Sequence, residues 1–257
     1  MVRTEMVRKE LHGGVALLTL TNERRRNSIT VDMVEQFVAL MDEVEAQPAI
    51  GAVVVTGAGE AFCAGADLRH LVDVSAGGDG TRQSLRAIYT MFHRLYHCNL
   101  PTVAAVNGPA VGAGLNLALA CDVRIAGESA LFSTRFLELG LHPGGGHTWM
   151  LREAVGAQTA KAMVLFNENL NGREAERIGL VWRCVRDEDL LPSALALAEQ
   201  ACRDPQEVVK AAKATLREAR RISEYDAAVD YEIEKQLWSV QRDDFRQRIA
   251  AMTAAKG

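Results

Sequence analysis

Apolar residues follow two different periods along this chain, and the pattern predicts short buried strands separated by amphipathic helices. Continuous apolar runs at residues 15–21, 52–56 and Thr102–Val106 are typical of buried strands. Between the first two runs, apolar residues recur at helical spacing over Val31–Glu45, with Thr30 as a candidate N-cap. This alternation predicts an α/β fold built on a covered, largely parallel sheet.

The pattern changes near residue 185. Before that point, helices are predicted at residues 148–155, 157–166 and 173–178 and a short strand at 180–185, and after it helices cover nearly all of residues 187–255. We therefore divide the chain into a β/α core, residues 1–185, and a C-terminal helical oligomerisation region, residues 186–257. This region has apolar positions at Ala228, Tyr231, Leu237 and Trp238. They fit packing between subunits, and they fit packing against the core of the same chain equally well.

Composition and charge narrow the range of functions. The chain is 48% hydrophobic and 24% charged, as is usual for a globular protein, and its net charge of −4 gives no reason to expect nucleic-acid binding. The apolar stretches are too short to span a membrane, and no leader-like segment opens the chain. The five cysteines form no C-x-x-C pair, which favours buried thiols in a reducing compartment and predicts a cytoplasmic protein without a zinc site.

Two segments rich in glycine and alanine each follow a predicted strand and each lead into a predicted helix. The first reads Phe-Cys-Ala-Gly-Ala-Asp-Leu over residues 62–68, and the second reads Asn-Gly-Pro-Ala-Val-Gly-Ala-Gly-Leu-Asn over residues 107–116. A strand that ends at small residues and restarts as a helix leaves backbone N–H groups free at the helix N-terminus. Two such breaks side by side can direct two donors at one carbonyl oxygen, which is the geometry of an oxyanion hole.

Together these segments resemble those of the crotonase, or enoyl-CoA hydratase/isomerase, superfamily, which read F-x-A-G-A-D-L and N-G-x-A-x-G-G-G. Three further motifs keep the family's order and spacing: Arg-Arg-Arg-Asn-Ser-Ile at 24–29, Cys-Asp-Val-Arg at 121–124 and Leu-Gly-Leu-His-Pro-Gly-Gly-Gly at 139–146. The resemblance implies a crotonase-like ββα spiral core with a C-terminal helical region that packs in a trimer, often a dimer of trimers. It also implies an acyl-CoA substrate, with coenzyme A as part of that substrate and no separate cofactor.

The resemblance assigns candidate site residues as well. It places the oxyanion donors at the backbone N–H groups of Ala64 and Ala113, the second of which is usually glycine in the family. Arg24 and Arg26 are candidates for contact with the coenzyme's phosphates, and Asp67 for fixing the loop around its nucleotide end. The predicted substrate-binding segment is completed by Gly65, Ala66 and Leu68. The alternative is that these small residues serve only the close packing of strand against helix.

Both glutamates with which hydratases of this family hold and activate water are replaced here. Asn116 stands at one position, and Phe136 at the other, which is the position that isomerases often keep. Asn116 can bind water or an acyl group but cannot accept a proton, and Phe136 makes the predicted pocket drier. Since a positioned acid–base group contributes about 10²–10⁴-fold in rate, ordinary hydratase activity should be severely reduced.

Glu138 and His142 are candidate substitutes for the missing base. On an extended segment Glu138 shares a face with Phe136, whereas on a helical turn it points elsewhere. The imidazole of His142 suits proton transfer at neutral pH, although a lone turn histidine is more often structural. Weaker candidates are His147, His70 and, as a metal pair without a third ligand, His93 and His97.

Three functions remain open at this stage. The first is a crotonase-type enzyme that forms an enolate from an acyl-CoA, with a non-standard base or water-mediated proton transfer. The second is a non-catalytic protein that binds long acyl-CoA and presents it to a partner, which the loss of both carboxylates favours. A purely structural role is disfavoured because the thioester-binding segments look intact. Since the chain has neither a dinucleotide fingerprint nor a P-loop, nicotinamide cofactors and nucleotide hydrolysis are also disfavoured.

Overall fold

The computed structural model describes residues 4–67 and 81–254, which form a mixed α/β fold with helices at the C-terminal end. Within these residues the strands are β1 (Val7–His12), β2 (Val15–Leu20), β3 (Ala52–Gly57), β4 (Thr102–Val106), β5 (Pro109–Val111), β6 (Val123–Gly127), β7 (Leu131–Ser133), β8 (Leu170–Asn171) and β9 (Arg183–Val185). The helices are α1 (Val31–Glu45), α2 (Thr81–Tyr96), α3 (Ala113–Ala120), α4 (His147–Leu165), α5 (Gly172–Arg177), α6 (Asp187–Cys202), α7 (Gln206–Glu218), α8 (Tyr225–Val240) and α9 (Asp243–Ala254). Leu68 and His70 lie outside the described residues.

The main sheet brings the two small-residue segments together. Its strand order is β1-β2-β3-β4-β6-β9, and every described pair except the antiparallel β1–β2 hairpin is parallel. The predicted parallel sheet is therefore confirmed. Because β3 and β4 are adjacent and parallel, the segments that follow them leave the sheet at the same edge. A smaller sheet of order β5-β7-β8 contains part of the second segment, because β5 is Pro109–Val111.

Helices cover both faces of the main sheet, which explains the continuous apolar strands. One face packs against α1, α2, α3 and α4, and its fully buried side chains include Phe37, Met91 and Leu115. The other face packs against α6 through Leu190 and Ala194. The predicted boundary after residue 185 separates α6 from the sheet that it covers, so α6 belongs structurally with the core. The reason is that Val15, Leu17 and Val54 on this face have no other helix among the described residues to bury them.

The last two helices, α8 and α9, carry many exposed apolar side chains. Like α7, they contain no fully buried residue in the single chain. Their exposed apolar side chains are Tyr225, Ile233, Leu237, Trp238, Val240, Phe245, Ile249 and Met252. By contrast, α7 is tied to the core because Lys213 forms an ion pair with Asp122 at 2.6 Å.

Helix α4 contains the break that the sequence pattern predicted between residues 155 and 157. Gly156 has φ 74° and ψ 173° inside the helix, a conformation that lies outside the helical region and that glycine tolerates best. The helix starts at His147, directly after the three glycines of the motif at residues 139–146. This start places His147 at the turn that faces α3.

None of the helices in the part of the chain that the structure describes is both long and apolar enough to cross a bilayer. All five cysteines are free thiols, and four of them are buried.

Candidate active site

The first small-residue segment is fixed to the second by main-chain hydrogen bonds. The Cys63 N–H donates to the Pro109 carbonyl at 3.1 Å, and the Val111 N–H donates back to the Cys63 carbonyl at 3.0 Å. Neither Gly65 nor Gly114 has room for a side chain. A β-carbon at Gly65 would lie 2.8 Å from the Val111 carbonyl oxygen, and one at Gly114 would collide with the Cys63 carbonyl. The glycines therefore allow the two backbones to touch.

The structure does not leave the Ala64 N–H free to act as an oxyanion donor. This group donates to the Arg26 carbonyl at 2.9 Å and is therefore already used within the protein. The Asp67 N–H is occupied as well, because it donates to the Ile29 carbonyl at 3.0 Å. A local pattern of small residues cannot show this, because the acceptor on Arg26 comes from a distant turn.

Two other backbone donors do remain free at this place. Within residues 4–67 and 81–254, neither the Ala66 N–H nor the Ala113 N–H has a hydrogen-bond acceptor. Ala113 is the first residue of α3, where the helix itself supplies no acceptor. A β-carbon at Gly65 would lie 3.6 Å from the Ala113 nitrogen, so the chain leading to Ala66 runs alongside the helix start. The N–H of Ala113, the predicted second donor, is thus free, and on the first segment the free N–H belongs to Ala66 rather than to Ala64.

The arginine turn lies against this segment. Arg25 forms an ion pair with the buried carboxylate of Asp67, 2.9 Å from Nη1 to Oδ2. Arg24 and Arg26 are exposed, and their side chains contact no acidic group among the described residues. The side chain of Asn27 is buried and donates to the Ala58 and Ala61 carbonyls. The turn is therefore anchored by Asn27 and Asp67, while two guanidinium groups stay accessible.

Asn116 lies one turn into α3 and is almost completely buried, with 1% of its surface exposed. Its Nδ2 donates to the Gly144 carbonyl at 2.9 Å. Its Oδ1 lies 2.7 Å from Nδ1 of His147. The amide therefore joins α3 to the glycine turn before α4 and holds an imidazole in place.

Phe136 packs against that imidazole. The two rings meet edge to face with centroids 4.8 Å apart. The ring of Phe136 also lies 3.8 Å from where a β-carbon on Gly112 would be, directly before the free N–H of Ala113. Asn116, Phe136 and His147 therefore form one cluster at the start of α3.

His147, the third member of this cluster, is only a weak candidate for the missing base by sequence. It is 1% exposed, and burial lowers the pKa of its imidazole to about 4, so the ring is neutral at physiological pH. Its Nε2 is buried and has no hydrogen-bond partner in the described part of the chain. The sequence shows only that His147 follows three glycines and directly precedes a predicted helix. Contact with Asn116, 31 residues away, depends on the fold.

The structure does not bring the two predicted substitute bases into this cluster. Phe136 enters a turn of 3-10 helix at Leu137–Leu139 rather than an extended segment, so Glu138 faces away from it. Glu138 is exposed and forms an ion pair with Arg135 at 3.3 Å. His142 is exposed too, and its Nδ1 lies 2.8 Å from the Pro143 carbonyl.

Comparisons with known proteins give the family and the fold of the chain. A sequence profile of the enoyl-CoA hydratase/isomerase family matches residues 10–254. The chain is 48% identical over 243 residues to the probable enoyl-CoA hydratase EchA14 of Mycobacterium tuberculosis, covering 92% of this chain and 93% of that protein. It is 32% identical to the 1,2-epoxyphenylacetyl-CoA isomerase of Escherichia coli, covering 98% and 97%.

Among solved structures, DspI of Pseudomonas aeruginosa matches with a TM-score of 0.91 at 31% identity, covering 99% of this chain and 96% of that one. The fold is thus that of the crotonase-type enoyl-CoA hydratases. The chain belongs to the enoyl-CoA hydratase/isomerase family.

Proposed function

We propose that the protein binds a coenzyme A thioester and polarises its carbonyl group through the backbone N–H groups of Ala66 and Ala113. The observation that carries this proposal is that these two donors are free on two segments held in contact. Negative charge develops on the thioester oxygen when water adds to C3 of a 2-enoyl-CoA, or when C2 of a 3-enoyl-CoA loses a proton. The two N–H groups would stabilise this charge, so the reaction class is enoyl-CoA hydration or isomerisation. The names of the Escherichia coli relatives, a 1,2-epoxyphenylacetyl-CoA isomerase and a 2,3-dehydroadipyl-CoA hydratase, support a coenzyme A thioester as the ligand.

The donors do not depend on side-chain identity. Ala113 differs from the usual glycine by one methyl group and keeps its N–H, and the residue is only 9% exposed. A hydrogen bond in such a water-poor place is stronger than one in bulk solvent. The replacement of glycine by alanine is therefore compatible with an intact oxyanion hole.

Arg24 and Arg26 are proposed to contact the phosphates of coenzyme A. Both are exposed, and the Arg26 carbonyl binds the Ala64 N–H directly beside the thioester donors. Asp67 supports this arrangement from within, because its ion pair with Arg25 holds the first segment against the arginine turn. No cofactor besides the substrate's own coenzyme A is required by this proposal.

A non-catalytic acyl-CoA-binding protein is the second candidate function. It is favoured by Asn116 and Phe136, which stand where the acid–base carboxylates are expected and cannot transfer a proton. The solvent-exposed position of Glu138 also favours it, since this removes one substitute base. In this case the protein would carry the acyl-CoA unchanged to a partner.

The experiment that separates the two functions is a panel of 2-enoyl-CoA and 3-enoyl-CoA thioesters of several chain lengths, incubated with the purified protein and read by mass spectrometry. Turnover of any member supports the enzyme. Retention of acyl-CoA on the protein without conversion supports the carrier. If no acyl-CoA is retained or raises the melting temperature, both forms of the proposal fail.

We further propose that the protein assembles through α8 and α9 into a homotrimer or a dimer of trimers. The support is the row of exposed apolar side chains on these helices, which include Ile233, Leu237 and Trp238. Light scattering coupled to gel filtration measures the assembly directly.

The five free thiols support a reducing compartment, and hence the cytoplasm, as the place of action.

A further inference from the structure

A cavity lies at the C-terminal end of α3, beyond the residues proposed to bind the thioester. Its volume is about 590 Å³, which is in the range of small-molecule binding sites. Leu119 in its wall follows Ala113 by six residues, which corresponds to about 9 Å along the helix axis. The described residues that line it include neither Ala66, Ala113 nor His147. Its apolar lining side chains include Leu119, Met150, Val209 and Leu216.

The charged side chains around this cavity are mainly basic. They are the cations Arg124, Lys213, Arg217 and Arg220 and the anions Asp122 and Glu153. Two of the cations have a carboxylate partner. Lys213 pairs with Asp122 at 2.6 Å. Arg220 pairs with Glu153 at 3.3 Å. The lining therefore carries two positive charges in excess, although the net charge of the whole chain is −4.

This excess resides on Arg124 and Arg217, which are bound by carbonyl groups rather than carboxylates in the part of the chain that the structure describes. Nε of Arg124 donates to the Leu180 carbonyl at 2.7 Å, and its Nη1 donates to the Cys121 carbonyl at 3.0 Å. Nη2 of Arg217 donates to the Cys98 carbonyl at 3.1 Å. A carbonyl oxygen orients a guanidinium group but carries no net charge to neutralise it. Both groups are thus fixed at the cavity with their charges uncompensated.

The surroundings of these two guanidinium groups favour an anion. Burial lowers the pKa of Arg124, because its charge is partly removed from water. A charge in such a place is costly unless an opposite charge compensates it. Arg217 lies over the ring of Tyr96, 5.7 Å from the ring centroid. Tyr96 in turn meets Trp149 edge to face at 5.9 Å. The cavity therefore combines unpaired positive charge with aromatic and aliphatic walls.

We propose that this cavity binds an amphipathic anion, a small molecule with a carboxylate or phosphate head and an apolar body. The head lies at Arg124 and Arg217, since guanidinium groups match carboxylate and phosphate oxygens in geometry as well as in charge. The apolar body packs along Leu119, Met150 and Leu216, where its surface is removed from water. This site is independent of the proposed thioester binding, because the two sites share no residue.

The test on the wild-type protein, in whatever assembly it forms, uses three ligands with the same alkyl chain. Calorimetry measures the affinities of decanoate, decyl phosphate and decanol below their micelle concentrations. At least one anion should bind about tenfold more tightly than decanol, as expected for hydrogen bonds to charged groups, and the preferred anion identifies the head group. A saturating concentration of acetyl-CoA should not displace it.

Substitutions at two neighbouring arginines locate the site. Arg217→Gln keeps a donor for the Cys98 carbonyl but removes the charge, and should weaken binding of the anion about tenfold while leaving decanol unchanged. Arg217→Lys should retain most of the preference for the anion. Arg221→Gln is the matched control, because Arg221 is exposed and pairs with Glu218 outside the cavity. It should behave as the wild type.

Three results would overturn the inference. In the first, neither anion binds more tightly than decanol, which is also the result expected if a second copy of the chain fills the cavity. In the second, Arg217→Gln and Arg221→Gln have equal effects. In the third, acetyl-CoA displaces the anion, which would assign it to the thioester site. None of these results bears on whether acyl-CoA binds, so the proposed function stands or fails separately.

Discussion

The two ends of the candidate site, both on helix α3, are built in different ways. At the start of the helix, Ala113 and the adjoining Ala66 offer backbone N–H groups that any non-proline residue would supply. One turn further, Asn116 and its neighbour His147 depend on their side chains. The first end therefore depends on main-chain geometry, whereas the second is a neutral hydrogen-bonded pair of side chains.

This difference bears on the prediction that both glutamates of the family's hydratases are replaced in this chain. In the proposed function, binding and polarisation of a thioester need only the backbone geometry that Gly65 and Gly114 permit. Proton transfer needs a particular side chain at a particular point. The following predictions test the backbone end first and the side-chain end afterwards.

The largest effect is expected from Ala113→Pro. Proline is well accepted at the first position of a helix, but it has no N–H, and its ring occupies the space in front of the missing donor. If the protein is an enzyme, kcat should fall about 10²–10³-fold, the usual cost of one oxyanion donor. Steady-state kinetics on the substrate found by the acyl-CoA panel measures this.

Ala113→Ser is the matched control, since it alters the side chain and keeps the donor. It should retain most of the activity. Equal losses in Ala113→Ser and Ala113→Pro would show that the side chain matters and the N–H does not.

Asn116→Leu should lower the free energy of unfolding by about 3 kcal/mol, because it leaves the His147 Nδ1–H buried without a partner and removes one of the two hydrogen bonds that the Gly144 carbonyl accepts. Denaturant unfolding at neutral pH measures the change. The double variant Asn116→Leu with His147→Leu also removes the unpaired Nδ1–H and places two apolar side chains in contact. It should therefore recover part of the lost stability. A single variant as stable as the wild type would contradict the proposed support of the ring.

The pKa of His147 predicts a pH dependence of stability with a definite sign. Its folded value of about 4 lies below the ordinary 6.5, so the unfolded chain takes up a proton first as the pH falls. The free energy of unfolding should drop by about 2 kcal/mol between pH 7 and pH 5 through this residue alone. Three other titratable side chains lie in this part of the molecule. Tyr89 lies against the same glycine turn and is neutral over this pH range, whereas Glu138 and His142 are exposed.

His147→Gln should lose this part of the dependence, while His142→Ala should keep it. Unfolding titrations of the three proteins at both pH values provide the measurement. A wild-type slope identical to that of His147→Gln would mean that the imidazole is not buried in its neutral form.

The smallest effect concerns the coenzyme's phosphates. The pair of changes Arg24→Ala and Arg26→Ala should weaken coenzyme A binding about fivefold at low salt and less at high salt, because exposed charges are screened. Calorimetry at two ionic strengths measures the change, and Arg183→Ala serves as an exposed arginine on another part of the surface. The proposed phosphate contact is refuted if all three substitutions alter the affinity equally.

Much of this molecule could be predicted from local pattern. The strands at 52–56 and Thr102–Val106 are found within one residue of the predicted ends, and the break at Gly156 separates the predicted helical segments. These features depend on neighbours in the chain, since apolar periodicity and glycine act over a few residues. That Asn116 and Phe136 stand where the family's two glutamates are expected stays a prediction from the motifs.

The sequence by itself thus determined the α/β class, the small-residue breaks after β3 and β4, and the family. Only the tertiary structure decided that the Ala64 N–H donates to the Arg26 carbonyl while the Ala66 N–H is free. It likewise decided that His147 rather than Glu138 contacts the side chain of Asn116. It alone also placed α6 on the sheet. The physical reason is that hydrogen-bond partners and burial are set by residues far apart in the chain, which no local period records.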